Sequence, residues 1–284
     1  MNTATARRRG DRLPLFVMED GDSATVDLAK GQVIDWGVHA IGADMEWARS
    51  RGEGVKVAVL DTGGTDHPDV AANVDACTGG MDAAGHGTHV AGIIGGIDND
   101  IGVVGVAPGC RLLLSKVLPA DVDGLCAALR GAADAGARVV NLSVGMYEDC
   151  PDFHAAIKEV YARGVVLVAA AGNDPSRVSF PGCYPEVICV TAIDEHFNRA
   201  SFAPLTENHI AMPGVSILST WLGGQYARLS GTSQATPLLT GEVALIIALN
   251  KPSLAETPQV VQAALKRIEQ SHDQVFFTPN ASLL

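Results

Sequence analysis

Short runs rich in β-branched residues recur at positions 55–60, 111–117, 137–144, 164–171 and 187–193. Each is apolar on successive positions, not on alternate ones, which is the pattern of a strand buried on both faces. Between and after them lie segments with helical spacing of apolar residues, at 86–95, 122–135, 150–163, 233–250 and 258–271. In the third of these, Asp152 is the expected N-cap and Gly164 the expected glycine just past the end. Strand and helix alternate, so the expected fold class is α/β: three layers, with a mainly parallel central sheet flanked by helices. Residues 1–30 are charged and aperiodic and read as an amino-terminal extension to a single domain spanning 31–284. No internal repeat is visible.

In open α/β sheets, ligands bind beyond the carboxyl ends of the strands. That rule singles out four positions. Asp61 follows the first run directly, Asn173 lies just past the run ending at 171, and His86 and Ser233 each open a helix. The same crevice is expected to receive all four.

Composition narrows the classes of function. The chain is 47% hydrophobic and 18% charged, the profile of a folded globular protein. A formal net charge of -12 excludes a phosphate-backbone binder, which needs clustered Lys and Arg, so no nucleic-acid partner is expected. The six cysteines, Cys77, Cys110, Cys126, Cys150, Cys183 and Cys189, form no CxxC pair and read as free thiols. Arg7-Arg8-Arg9 precedes an apolar stretch that Pro14 interrupts, too short for the core of a signal peptide. Apolar runs such as 243–249 fall short of the roughly 20 residues that span a bilayer. A cytoplasmic protein with no membrane partner is the expectation; the oligomeric state stays open.

A hydroxyl nucleophile needs a neutral imidazole to take its proton, and the imidazole needs a carboxylate to hold its tautomer and stabilise its charged form. Val57-Ala58-Val59-Leu60-Asp61-Thr62-Gly63, Gly85-His86-Gly87-Thr88-His89-Val90-Ala91-Gly92 and Gly231-Thr232-Ser233-Gln234-Ala235-Thr236-Pro237 supply these parts. They resemble the motifs of the subtilisin family of serine proteases, in that family's order, with Ala169-Ala170-Ala171-Gly172-Asn173 as a fourth between the second and third. The resemblance runs from about Gly31 to Asn250. It implies a serine endopeptidase acting on protein or peptide substrates through an acyl-enzyme on Ser233. His86 would be its general base and acid, Asp61 would orient His86, and Asn173 would stand in the oxyanion hole.

Other readings remain open at this point. Asp61-Thr62-Gly63 is also a signature of aspartic proteases, though no second copy is found, and His86 with His89 suggests a metal pair, though without the intervening glutamate of zinc peptidase helices. A dedicated peptide-processing protease and a catalytically silent peptide-binding relative are the functional alternatives. Gln234 stands where the family usually carries methionine, and the stretch from Asp61 to His86 is short.

The resemblance also implies a substrate edge at Leu142, Ser143, Val144 and Gly145, to which an extended peptide adds by β-pairing. It implies a P1 pocket lined by Ala170, Gly172 and Asn173, with Asp174 on its rim as either a contact for basic residues or a solvated loop charge. A structural Ca²⁺ is implied at the side chains of Gln32, Asp69 and Asn99 and the carbonyls of Ile97, Ile101 and Val103, against a metal-free polar turn. Leu13-Pro14-Leu15-Phe16 loosely resembles the apolar segment with which intracellular subtilisins cover their active site; a surface-packed or unstructured tail is the alternative.

Overall fold

A computed structural model of the chain describes residues 16–17, 24–26, 28, 31–119, 121–204 and 209–271. Seven strands form the central sheet in the order Ile210–Pro213, Val187–Ile193, Val166–Ala170, Val139–Leu142, Lys56–Asp61, Arg111–Lys116 and Val74–Thr78. Every neighbouring pair is parallel. From Lys56–Asp61 the chain runs out to the edge strand Val74–Thr78, returns to Arg111–Lys116 between them, then crosses to Val139–Leu142 and builds outward on the other side. The order reverses there, and such a switch point opens a crevice at the carboxyl ends of the two strands.

Side chains alternate across a strand, so each central strand feeds two cores. Val57 and Val59 pack with Val90, Ile94, Leu238 and Val243, from helices His86–Gly95 and Thr232–Asn250. Ala58 and Leu60 pack on the opposite face with Leu125, Leu129, Phe153 and Ile157, from helices Val122–Asp134 and Pro151–Ala162. The expected three layers follow from this division. The N-cap of helix Pro151–Ala162 lies two residues earlier than anticipated: Pro151 takes the first turn, Cys150 is the N-cap, and Asp152 sits inside the first turn. Gly164 does close it, with a positive φ of 86°.

Two pieces of the extension are strands, which its sequence does not suggest. Ala24–Val26 pairs antiparallel with Tyr226–Leu229, and Phe16–Val17 pairs antiparallel with Val144–Gly145. Both add to existing backbone edges. Leu13, Pro14 and Leu15 lie outside the described residues. Among the described residues one helix, Thr232–Asn250, is long and apolar enough to cross a membrane by length and composition, contrary to expectation; 89% of its most apolar window is buried in the fold. All six cysteines carry free thiols.

Candidate active site

Asp61 ends the first strand and is fully buried. Its Oδ1 accepts the Thr62 N–H at 2.7 Å and lies 2.7 Å from His86 Nδ1. The two side chains are only 0% and 2% exposed, so water scarcely screens their attraction. With Nδ1 committed to the carboxylate, proton exchange with a reacting group falls to Nε2.

The backbone fixes that contact. Helix His86–Gly95 starts from Gly85, whose φ is 96° and where a Cβ would strike the Trp221 indole at 2.6 Å; only glycine lets the chain turn in under that ring. No side chain caps the helix at Gly85 itself. Asp82 does so from outside, accepting the N–H groups of Ala84, Gly85 and Thr88 and the Thr88 hydroxyl at 2.8–2.9 Å. Burial opposes its charge, but the hydrogen bonds from Gly85, Thr88 and Ala84 outweigh this and hold the carboxyl below its usual range. The Gly87 N–H donates to Thr62 Oγ1 at 2.8 Å, tying the helix start to the strand end. His89 is turned the other way, with Nε2 at 3.2 and 3.0 Å from the carbonyls of Ile217 and Ala227. Burial pushes its pKa down to about 3, so it is a neutral core donor.

Ser233 is the second residue of helix Thr232–Asn250, whose N-cap Gly231 offers no capping side chain. Its Oγ donates to the Ser143 carbonyl at 2.8 Å. In the parallel register Val59 lies opposite Asn141, so two residues on Ser143 comes level with Asp61. Neighbouring strands run about 4.8 Å apart, so Ser143, which holds the Ser233 hydroxyl, and Asp61, which holds His86, stand side by side at the switch point. Pro237 has no N–H for the Ser233 carbonyl four residues back. The Ser143 hydroxyl supplies the missing donor at 2.9 Å and itself accepts from Asn141 Nδ2 at 2.9 Å, while Asn141 Oδ1 accepts from Thr240 Oγ1 at 2.9 Å.

Asn173 closes the crevice on the other side. Its Oδ1 accepts the Thr232 N–H and hydroxyl, both at 3.0 Å, which fixes the amide plane. Its Nδ2 is buried and has no hydrogen-bond partner among the described residues. Gln234, beside the nucleophile candidate, is fully buried, and neither of its amide atoms has a hydrogen-bond partner among the described residues.

The expected substrate edge carries the Phe16–Val17 strand, with Phe16 opposite Gly145 and Val17 opposite Val144. Leu142 is buried beneath it as the last residue of its strand. Ala170 and Gly172 flank the buried Ser179, whose Oγ bonds the Ala170 and Ala171 carbonyls at 3.3 and 3.1 Å. Asp174 is occupied within its own loop: it accepts from Ser176 N and Oγ at 3.0 and 2.6 Å and from Arg177 Nε at 2.8 Å. Those Ser176 bonds first, then Arg177, hold its carboxyl low. The Arg177 guanidinium in turn lies 3.5 Å over the Tyr147 ring.

Of the residues expected to hold a metal, Ile97 O, Asn99 Oδ1 and Val103 O converge on Gln32 Nε2 at 2.5, 3.4 and 3.3 Å. Asp69 is fully buried; Oδ2 accepts the Val103 N–H at 2.7 Å and Oδ1 is unmet. Ile101 joins the loop through its N–H, which donates to Asn99 Oδ1 at 3.2 Å. Asp82, Ser143 as a donor, Pro237 and Ser179 were not singled out by sequence. Asp82 alone left a signal there, an acidic residue just ahead of a glycine-led helix.

A buried Asp–His pair on one strand end and a serine at a helix N-terminus held by the neighbouring strand end, on a parallel sheet, are the parts of a serine-type peptidase scaffold. Residues 52–276 match the subtilase family, Peptidase_S8. The chain is 41% identical over 227 residues to Subtilisin BL of Lederbergia lenta, covering 76% of this chain and 84% of that protein. To an intracellular serine protease of Paenibacillus polymyxa it is 38% identical over 260 residues, 81% of this chain and 79% of that one. It is 39% identical over 243 residues to an alkaline protease of Alkalihalobacillus alcalophilus, 81% of this chain and 63% of that protein. The chain belongs to the subtilase family and is a serine endopeptidase acting on protein or peptide substrates.

Proposed function

We propose that Ser233 is the nucleophile, with His86 as general base and acid, Asp61 as its orienting anion, and the Asn173 amide with the Ser233 N–H as oxyanion donors. One observation carries this reading: the solvent-sealed 2.7 Å contact between His86 Nδ1 and Asp61 Oδ1 at the switch point. Ser233 Oγ adds to the scissile carbonyl carbon as its proton passes to His86 Nε2. The oxyanion turns to Asn173 Nδ2, which is why folding leaves that donor unmet. The C–N bond then breaks, His86 returns the proton to the departing amine, and water repeats the sequence on the acyl ester.

The Phe16–Val17 pairing supports a regulatory reading of the extension, since it occupies the edge a substrate strand would use. The extension therefore competes with substrate and inhibits. The converging oxygens of Ile97, Asn99 and Val103, with the unmet Asp69 Oδ1, suit a hard cation held by oxygen donors. The Gln32 amide carries an oxygen as well as a nitrogen. Ca²⁺ held by these groups and by the Ile101 carbonyl would brace the end of the His86 helix. Likeness to the intracellular protease and six free thiols support an intracellular setting. Asp174, paired with Arg177, adds no free negative charge to the P1 rim.

The test uses a fluorophosphonate probe and unfolded casein. The full chain labels, Ser233→Ala does not, and a full chain with Phe16 and Val17 both replaced by proline cleaves casein faster than the parent. Labelling that survives Ser233→Ala would sink the nucleophile assignment; equal casein rates would remove the inhibitory strand.

A further inference from the structure

We propose that the two strands of the amino-terminal extension have opposite roles: Phe16–Val17 inhibits, whereas Ala24–Val26 belongs to the catalytic unit and positions His86. This rests on the serine-peptidase reading above. Ile217–Thr220 and Tyr226–Leu229 form an antiparallel hairpin, and Ala24–Val26 pairs with the other edge of Tyr226–Leu229, Val26 opposite Tyr226 and Ala24 opposite Arg228. Among the described residues these three strands make up the whole of that sheet. A hairpin of two strands is marginally stable at best, and a third strand is what makes such a sheet hold its shape. Without Ala24–Val26 the hairpin keeps two strands and one unpaired edge.

That hairpin is the wall against which helix His86–Gly95 is set. Ser219 Oγ donates to the His89 carbonyl at 2.8 Å, and Thr220 Oγ1 donates to the Thr88 carbonyl at 2.7 Å. From the helix, His89 Nε2 reaches the carbonyls of Ile217 and Ala227, one on each strand of the hairpin. Ser219, Thr220 and His89 are fully buried, so water does not compete for these bonds. A Cβ on Gly92 would stand 2.4 Å from Ser219 Oγ, so the strand can come this close only against glycine. Trp221, the next residue of the hairpin, lies over Gly85 at the helix start and meets the His89 ring edge-on, with centroids 6.3 Å apart. Asp61 holds the His86 ring; the hairpin holds the backbone that carries it.

Phe16–Val17 sits on a different edge, that of Val144–Gly145, which a substrate strand must take in its turn. Withdrawing it therefore frees the groove. Withdrawing Ala24–Val26 instead removes the third strand from the hairpin behind the general base. Reacting groups misplaced by about 1 Å can cost on the order of 10² in rate, so a small loosening there is enough to be read.

The experiment takes as parent the full-length chain with Phe16 and Val17 replaced by proline, so that the groove is open in every arm. Thr25→Pro and Val26→Pro are added singly and together. Ladder bonds alternate along a strand and proline has no N–H, so one of the single variants should act and the other should not. On a peptide p-nitroanilide the double variant should show kcat about five- to tenfold lower with KM within about twofold, because the base is disturbed and the groove is not. The acidic limb of its pH profile of kcat/KM, which reports the base of the free enzyme, should move as well. Ser219→Ala with Thr220→Val cuts the same link at the helix; it should lower kcat by a similar factor, and the prolines should then lower it no further. A rise in kcat would make Ala24–Val26 part of the inhibitor and overturn the proposal. An unchanged kcat, a loss carried by KM alone, or losses that multiply between the two pairs of substitutions would overturn it too. A parent that neither hydrolyses the anilide nor takes a fluorophosphonate label would instead overturn the serine-peptidase reading beneath it.

Discussion

Replacing Ser143 by alanine should destabilise the protein, and replacing Pro237 by alanine should return part of the loss. Ser143 is completely buried, and its hydroxyl serves two neighbours, donating to the Ser233 carbonyl and accepting from Asn141 Nδ2, each at 2.9 Å. Removing the oxygen leaves a buried carbonyl without a donor and a buried amide hydrogen without an acceptor. Each unmet group costs about 1–3 kcal/mol, and partial relaxation of both puts the sum at roughly 2–3 kcal/mol. The Ser233 carbonyl depends on Ser143 only because the residue four positions on is proline. The substitution Pro237→Ala restores the helical N–H, leaving Asn141 as the single unmet group, so Ser143→Ala should then cost about 1 kcal/mol. A coupling of about 1–2 kcal/mol between residues with no shared hydrogen bond follows. For a domain of this size that corresponds to a melting shift of roughly 4–10 °C for Ser143→Ala alone and about half as much or less when Pro237→Ala is also in place. Calorimetry at one fixed scan rate, in a Ser233→Ala background that prevents self-digestion, reads both numbers. An equal cost of Ser143→Ala in the two backgrounds would refute the idea that Ser143 replaces the proline's missing donor.

Two further outcomes are expected. Desolvation, aided by the charge of Glu46, pushes the Glu242 carboxyl up to about 7, well above the usual carboxylate range. The native state thus holds a proton that the unfolded chain has released, so this group's stabilising contribution is full below the unfolded value, declines as pH rises, and is lost above about 7. Glu242→Gln should raise the melting temperature at pH 8, by on the order of 1–3 kcal/mol of stability, and flatten the decline; parallel melting-versus-pH curves would contradict this. Excess EDTA should lower the melting temperature by roughly 5–10 °C if Ca²⁺ occupies the Gln32–Asp69 loop at about a hundred times its dissociation constant, and Asp69→Asn should abolish the EDTA effect. An identical melt with and without chelator would remove the cation.

The sheet was legible where burial is double-sided. Lys56–Asp61 and Val166–Ala170 are buried along nearly their whole length, and an uninterrupted apolar run is the only composition that permits this. Val74–Thr78 left no such trace: as the edge strand its last four residues are exposed, and they could be polar without cost. Phe16–Val17 and Ala24–Val26 were invisible for a related reason. A strand that adds to a waiting edge is held by backbone hydrogen bonds, which any residue but proline can make. The N-cap at Asp152 failed because Pro151 occupies the first turn, so the cap moves to Cys150. Asp61, His86 and Ser233 were singled out through their motifs. The hydrogen bonds that set Ser233 and Asn173 in place were not, since they join Ser143 to Ser233 and Asn173 to Thr232 across 90 and 59 positions of chain. No local pattern encodes them.

Polar atoms left unmet by folding are informative because burying them is costly. Among the described residues, Asn173 Nδ2 and the two Gln234 amide atoms are such groups. Arg138 Nε is another, but its guanidinium is anchored elsewhere, on the Pro252 carbonyl and Thr257 hydroxyl, so an additional ligand is not required to explain its position. Asn173 is likewise anchored, yet through Oδ1 alone, on the Thr232 N–H and hydroxyl. A donor fixed in advance is what the proposed oxyanion role of Asn173 requires, since the charge it would meet arises only in the transition state.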